Sequence, residues 1–145
     1  MKNGLPFNIL VVEDDSDDRE IIDDAFKEIG YEAEVKKFID GQSLLKYMEQ
    51  VNESIYPSLI VLDNSLPGLD VQHLLSTLKN DDRYKAIPVI IYSGSVSTVK
   101  KKELIEIGAL AIIEKGNTMQ EIVKVAQQLK DIAESQGMHS KQSTS

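Results

Sequence analysis

Leu59-Ile60-Val61-Leu62-Asp63-Asn64-Ser65-Leu66-Pro67-Gly68 is an apolar run that stops abruptly in a carboxylate and then turns. The run is too short for a helix of its own. Its Ile, Val and Leu follow one another without alternation, which is how a strand buried on both faces reads. Asp63 therefore sits at a strand's exit. Pro67 and Gly68 supply the fixed negative φ and the permitted positive φ of a type II turn, so the chain is expected to bend back over Asp63. The carboxyl ends of parallel strands are where open α/β sheets bind ligands.

Three further apolar runs end in polar side chains. Ile9-Leu10-Val11-Val12 leads to Glu13-Asp14-Asp15, Pro88-Val89-Ile90-Ile91-Tyr92 to Ser93-Gly94-Ser95, and Ala109-Leu110-Ala111-Ile112-Ile113 to Glu114-Lys115. If the first and third strands are parallel neighbours, roughly 4.8 Å apart, their terminal carboxylates share one pocket. Carboxylates so crowded repel one another, and the usual remedies are a raised pKa or a bound cation. With only oxygen donors on offer, no Cys and no His cluster, a hard divalent ion such as Mg²⁺ is the natural candidate. A run of acids before a helix is also ordinary capping: Asp15 or Ser16 can cap, with Asp17 and Asp18 in the first turn. Asp63 arriving from another strand tips the balance towards a cation site.

An acid pair, a lone Asp, a hydroxyl and a Lys, in that chain order and each on a strand end, resemble the receiver domain of two-component response regulators. The resemblance spans about residues 7–133. It implies an α/β, flavodoxin-like, doubly wound (βα)5 fold with a five-stranded parallel sheet in the order 2-1-3-4-5. The switch point then lies between the first and third strands. It further implies that Asp63 accepts a phosphoryl group from a sensor histidine kinase or a histidine phosphotransfer protein. Mg²⁺ is then held by Asp14, Asp63 and the backbone carbonyl of Ser65, with Glu13 acting through a water. Lys115 pairs with the phosphoryl oxygens, the Ser93 hydroxyl bonds one of them after transfer, and Gly94 leaves room. The implied output is contact with a downstream protein, with no enzymatic activity beyond self-phosphorylation and self-dephosphorylation. Two positions depart from the family pattern. Gly116 stands where a Pro usually follows the Lys, which removes a restraint on that loop, and Ile112 stands where an aromatic residue is usual.

The remaining features bound this reading. A chain of 145 residues suits one domain, expected over 5–134, with a polar, patternless tail over 135–145 that is expected to be flexible. A formal net charge of -8 argues against direct binding to nucleic acid. No apolar run approaches the roughly 20 residues of a membrane span, so no membrane insertion and a cytoplasmic location are expected. The edge-like alternation of Glu32 to Phe38 marks the second strand, and the fourth helix, with Val99, Leu104, Ile105 and Ile107, has the thinnest apolar face. His73 and His139 lack partners at ligand spacing.

Two rivals are weaker. A Mg²⁺-dependent phosphohydrolase with an Asp nucleophile of the haloacid-dehalogenase-like type places a general acid two residues later, where this chain has Ser65. A flavodoxin-like electron carrier needs a phosphate cradle after the first strand, and Glu13-Asp14-Asp15 would repel the flavin phosphate.

Overall fold

A computed structural model describes residues 9–31, 34–52, 56–64 and 70–144, with side chains described as far as residue 135. Strands β1 (Ile9–Val12), β2 (Val35–Phe38), β3 (Leu59–Asp63), β4 (Val89–Ser93) and β5 (Ala111–Glu114) alternate with helices. These are α1 (Ser16–Glu28), α2 (Gly41–Gln50), α3 (Val71–Lys79), α4 (Thr98–Ile107) and α5 (Met119–Thr144). All four strand pairings are parallel and the order is β2-β1-β3-β4-β5. The expected doubly wound topology is what forms. The central strands β1, β3 and β4 are buried along their whole length, as their unbroken apolar runs require, while the alternating β2 lies at an edge.

The two-residue period of each strand sorts its side chains between two cores. Leu10, Val12, Ile60, Leu62, Val89 and Ile91 face one way, against Leu44 and Met48 of α2, the apolar stripe of α3, and Leu104 of α4. Ile9, Val11, Leu59, Val61, Ile90 and Tyr92 face the other way, against Ile22, Ala25 and Phe26 of α1 and Val125, Ala126, Leu129 and Ala133 of α5. Period-3.6 spacing on each helix delivers these stripes. The turn expected at 66–69 lies outside the described residues.

Helix α4 is the weakly anchored element. Leu104 is its one buried side chain, while Val99 is 70 % exposed and Ile105 46 % exposed. Its far end is tied more firmly. Gly108 ends the helix at φ 138°, and a Cβ there would stand 2.7 Å from Lys79 Cγ. The Lys79 stem thus lies directly beneath the helix terminus. Its Nζ donates to the carbonyls of Ile87 at 2.6 Å and Lys85 at 3.2 Å, so one side chain binds the ends of α3 and α4 to the entry of β4.

Helix α5 continues as helix to Thr144, past the boundary at 134 that polarity suggested. The physical reason is that no residue there forbids helix, Gly137 being unfavourable but permitted. Residues 135–144 contain no Pro, and extending an existing helix adds one bond per residue fixed without a new nucleus. Ala133 is the last described side chain that is buried. We propose that 135–145 nonetheless lies outside the folding unit. A chain ending at Ser135 should keep its urea midpoint, with a stability change within about 0.5 kcal/mol. A large drop would show that the distal turns dock.

Candidate functional site

The same two-residue period decides which strand-end side chains meet. Glu13 extends β1 by one residue, its N–H donating to Phe38 O at 2.9 Å, and it falls on the side of Ile9 and Val11. Asp63 closes β3 on the side of Leu59 and Val61. Lys115 extends β5, its N–H donating to Ser93 O at 2.8 Å, and follows Ala111 and Ile113. All three therefore emerge on the face covered by α1 and α5. Ser93 has the parity of Val89 and Ile91 and emerges towards α3 and α4.

Lys115 Nζ is the hub. It donates to Glu13 Oε1 at 2.8 Å, Asp18 Oδ2 at 3.1 Å and Asp63 Oδ2 at 3.4 Å, and it lies 5.6 Å from the centre of the Tyr92 ring. Glu13 and Asp63 are 3 % and 4 % exposed. Carboxylates so buried need a compensating charge, and one ammonium serves both. Burial pushes the Glu13 carboxyl up to about 7, the hydrogen bond with Asp63 adds to this, and Lys115 opposes without cancelling it. Burial pulls the Lys115 ammonium down, but its hydrogen bonds to Glu13 and Asp18 and the nearby Asp63 charge outweigh that, leaving it above its ordinary value.

Successive acids after β1 take different parts. Glu13 turns into the cluster, and its backbone carbonyl accepts from Arg19 Nη1 at 2.7 Å. Asp14 is exposed at the rim, with a carboxylate oxygen that joins those of Glu13 and Asp63 in a set lying within 4.8 Å of one another. Asp15 caps α1, accepting from the N–H groups of Asp17 and Asp18 at 2.8 and 3.1 Å. Capping and the acidic cluster thus coexist. The convergent oxygens form a donor set suited to a hard divalent cation. Ser65, whose carbonyl the resemblance added to that set, lies outside the described residues.

Ser93 is buried at 3 % exposure, and its Oγ donates to Ser95 O at a long 3.4 Å, a weak bond that is cheap to exchange. A Cβ added at Gly94 meets nothing within 4 Å, so the room beside Ser93 is real. The loop after Lys115 is firmer than the missing Pro suggested. A Cβ at Gly116 would sit 2.6 Å from Glu121 Cβ, so only glycine fits. Glu121 Oε1 accepts from the N–H groups of Asn117 and Thr118 at 2.7 and 3.2 Å, and Thr118 Oγ1 accepts from Glu121 N at 3.1 Å. This reciprocal cap braces the loop in place of a proline ring.

Two neighbours of Lys115 were not singled out from the sequence. In the sequence Asp18 is a first-turn acid, and Tyr92 closes an apolar run. The signals were present. Tyr92 shares the parity of Ile90, and Asp18 lies three residues beyond the cap that starts α1, but both needed the β5 position before they pointed anywhere.

The response regulator receiver domain model matches residues 9–127. This chain belongs to that family. Receivers are signalling domains of two-component systems, and this one is similar to others along most of its length. It is 26% identical over 129 residues to response regulator Rcp1 of Synechocystis sp., covering 87% of this chain and 88% of Rcp1. It is 35% identical over 95 residues to the probable methanogenesis regulatory protein FilR2 of Methanothrix harundinacea, covering 63% of this chain and 61% of FilR2. The match thus spans less than two thirds of FilR2. Among solved structures, the phosphorylated cyanobacterial phytochrome response regulator RcpA matches with 26% identity and a TM-score of 0.79, over 90% of this chain and 95% of that one. The Mn²⁺-bound form of Rcp1 matches with 25% identity and a TM-score of 0.75, over 86% and 92%. Among the described residues, no helix of the receiver is long and apolar enough to cross a membrane.

The raised Glu13 carboxyl predicts a pH dependence. A carboxyl held above its unfolded value of 4.5 binds its proton more tightly when folded, so its contribution to stability is complete below that value. That contribution is lost as the pH rises towards about 7. Urea midpoints in chelator at about pH 5 and about pH 7 should show a smaller fall in Glu13→Gln than in the wild type. Equal falls would remove Glu13 as the cause.

Proposed function

We propose that this receiver accepts a phosphoryl group on Asp63 from a histidine kinase or a histidine phosphotransfer protein, in a Mg²⁺-dependent reaction, and signals by contact with a downstream protein. The observation that carries this reading is the Asp63 carboxylate. It is buried at a parallel strand's carboxyl end, 3.4 Å from the Lys115 ammonium, and its oxygens cluster with those of Glu13 and Asp14.

An Asp63 oxygen attacks the phosphorus of the phosphohistidine, the P–O bond forming as the N–P bond breaks. The imidazole leaves with the electron pair. A carboxylate is a weak nucleophile, so the site's work is to align the attack and to neutralise charge. Glu13, Asp14, Asp63 and the Ser65 carbonyl would hold Mg²⁺, which when bound supplies positive charge to the transferring group. Lys115, freed from part of its carboxylate pairing, offers N–H donors to the phosphoryl oxygens. Ser93 can exchange its long bond to Ser95 O for a phosphoryl oxygen.

Incubation with acetyl phosphate and Mg²⁺ should add the mass of one phosphoryl group. Asp63→Asn should abolish the adduct and Asp14→Ala should greatly slow its formation. An adduct that persists in Asp63→Asn would sink the assignment, and one that forms equally fast in Asp14→Ala would place the cation elsewhere.

The output follows from the unequal anchoring of the helices. Ile112 is half-buried against the α3 and α4 core and, being β-branched, is stiff at χ1, so it cannot act as a turning aromatic ring. Phosphorylation instead orders the Ser93 to Ser97 loop and shifts the lightly held α4, by new contacts that favour one arrangement. NMR spectra with and without beryllofluoride and Mg²⁺ should change most around Asp63, Ser93 and α4, with the Ile112 methyls in the same rotamer. A rotamer switch at Ile112 in step with the mimic is the result that contradicts this route.

A further inference from the structure

Lys115 carries three N–H donors, and each has a carboxylate: Glu13, Asp18 and Asp63. Glu13 and Asp63 belong to the oxygen set suited to a cation, together with Asp14; Asp18 does not. It reaches Lys115 from the first turn of α1, where its own N–H is held by the Asp15 cap at 3.1 Å. Its backbone position is therefore set by the start of the helix, and its side chain, 41 % exposed, leans over the edge of the pocket. The Tyr92 ring, 7 % exposed, lies 5.6 Å from the same ammonium. A cation over an aromatic face is attracted by the ring's quadrupole.

We propose that Asp18 is a positioning residue for Lys115, with the Tyr92 ring as the wall behind the ammonium. The inference rests on the reading of Asp63 as phosphoacceptor. When cation and phosphoryl group engage Glu13 and Asp63, two of the ammonium's donors are released. Asp18 keeps the third. The long, flexible Lys stem then stays at the mouth of the pocket instead of swinging into water, and its two free N–H groups meet the phosphoryl oxygens. The rotamer freedom of that stem is already lost in the resting protein, which is the advantage of preorganisation. The braced 116–118 loop fixes the Lys115 backbone but cannot fix a side chain with four rotatable bonds. Asp18 and Tyr92 act on the part that the brace does not reach.

The ordinary alternative is that Asp18 merely complements the dipole of α1. A double-mutant cycle separates the two. With acetyl phosphate and saturating Mg²⁺, Asp18→Asn should slow phosphorylation about fivefold, the upper range for a half-exposed ion pair. Asp18→Glu should restore part of the rate. In a Lys115→Gln background, Asp18→Asn should have no further effect, because the group through which it acts is gone. A second readout needs no cation. In the metal-free protein, the ¹⁵N signal of the Lys115 ammonium should be protected from solvent exchange, and Asp18→Asn should broaden it. An unchanged rate in Asp18→Asn, an equal loss in both backgrounds, or an ammonium signal indifferent to Asp18 would each overturn the proposal. A wild-type protein that takes up no phosphoryl group would instead show that the Asp63 reading has failed.

Discussion

A single ammonium set among three carboxylates holds the business end of this sheet together. Glu13 and Asp63 lie deeper than unpaired charges can lie, and without a cation of some kind their mutual repulsion opposes the approach of β1 and β3. Lys115 supplies that cation from 102 residues away in sequence. It can do so because its strand end, although two strands removed from β3, projects on the same face of the sheet. The ion cluster thus couples the outermost strand β5 to the central pair by side chains alone. The same lysine already engages two of the three carboxylates in the oxygen set suited to a divalent cation.

The fold was legible because its strands advertise themselves. Four apolar runs, each ending in a functional group, and helices with clear stripes leave little choice of architecture once right-handed crossovers are required. Asp63, Glu13, Asp14, Ser93 and Lys115 could be picked from the same pattern, since a polar residue directly after a buried strand has nowhere to be except the sheet's edge. What could not be read was the lateral arrangement. Whether Asp18 caps, solvates or reaches across depends on where α1 starts relative to β5. The same holds for Gly116, whose meaning reversed. In sequence it is the loss of a proline's restraint, and in the structure it is the small residue that lets Glu121 close over the loop. For the tail, polarity speaks to whether a segment can pack, while the continuation of α5 to Thr144 follows from extending a helix already nucleated.

The two faces of the sheet are not built alike. On one, α1 and α5 bury seven side chains between them and carry the ion cluster at their rim. On the other, α2 and α3 bury six side chains, Leu44, Met48, Val71, Leu74, Leu75 and Leu78, while α4 adds Leu104 alone, and the Ser93 hydroxyl emerges on that side. The layers around the acidic cluster are therefore firmly packed except at α4. Local stability varies across a domain, and the elements that move are drawn from its weakly packed end.

The Lys79 side chain beneath Gly108 gives that compliance a direction. A helix held at Gly108 and Leu104 and exposed over its first turns has the geometry of a lever, with its fulcrum where the lysine stem meets the glycine and its free arm at Thr98. With a rise of 1.5 Å per residue, the ten-residue arm is roughly 15 Å long. A small tilt at the fulcrum becomes a displacement of an ångström or more at the free arm, and almost none near Ile107. Any gain in displacement is thus placed at the end of α4 that the chain enters from Ser93, through the four residues 94–97 that follow β4.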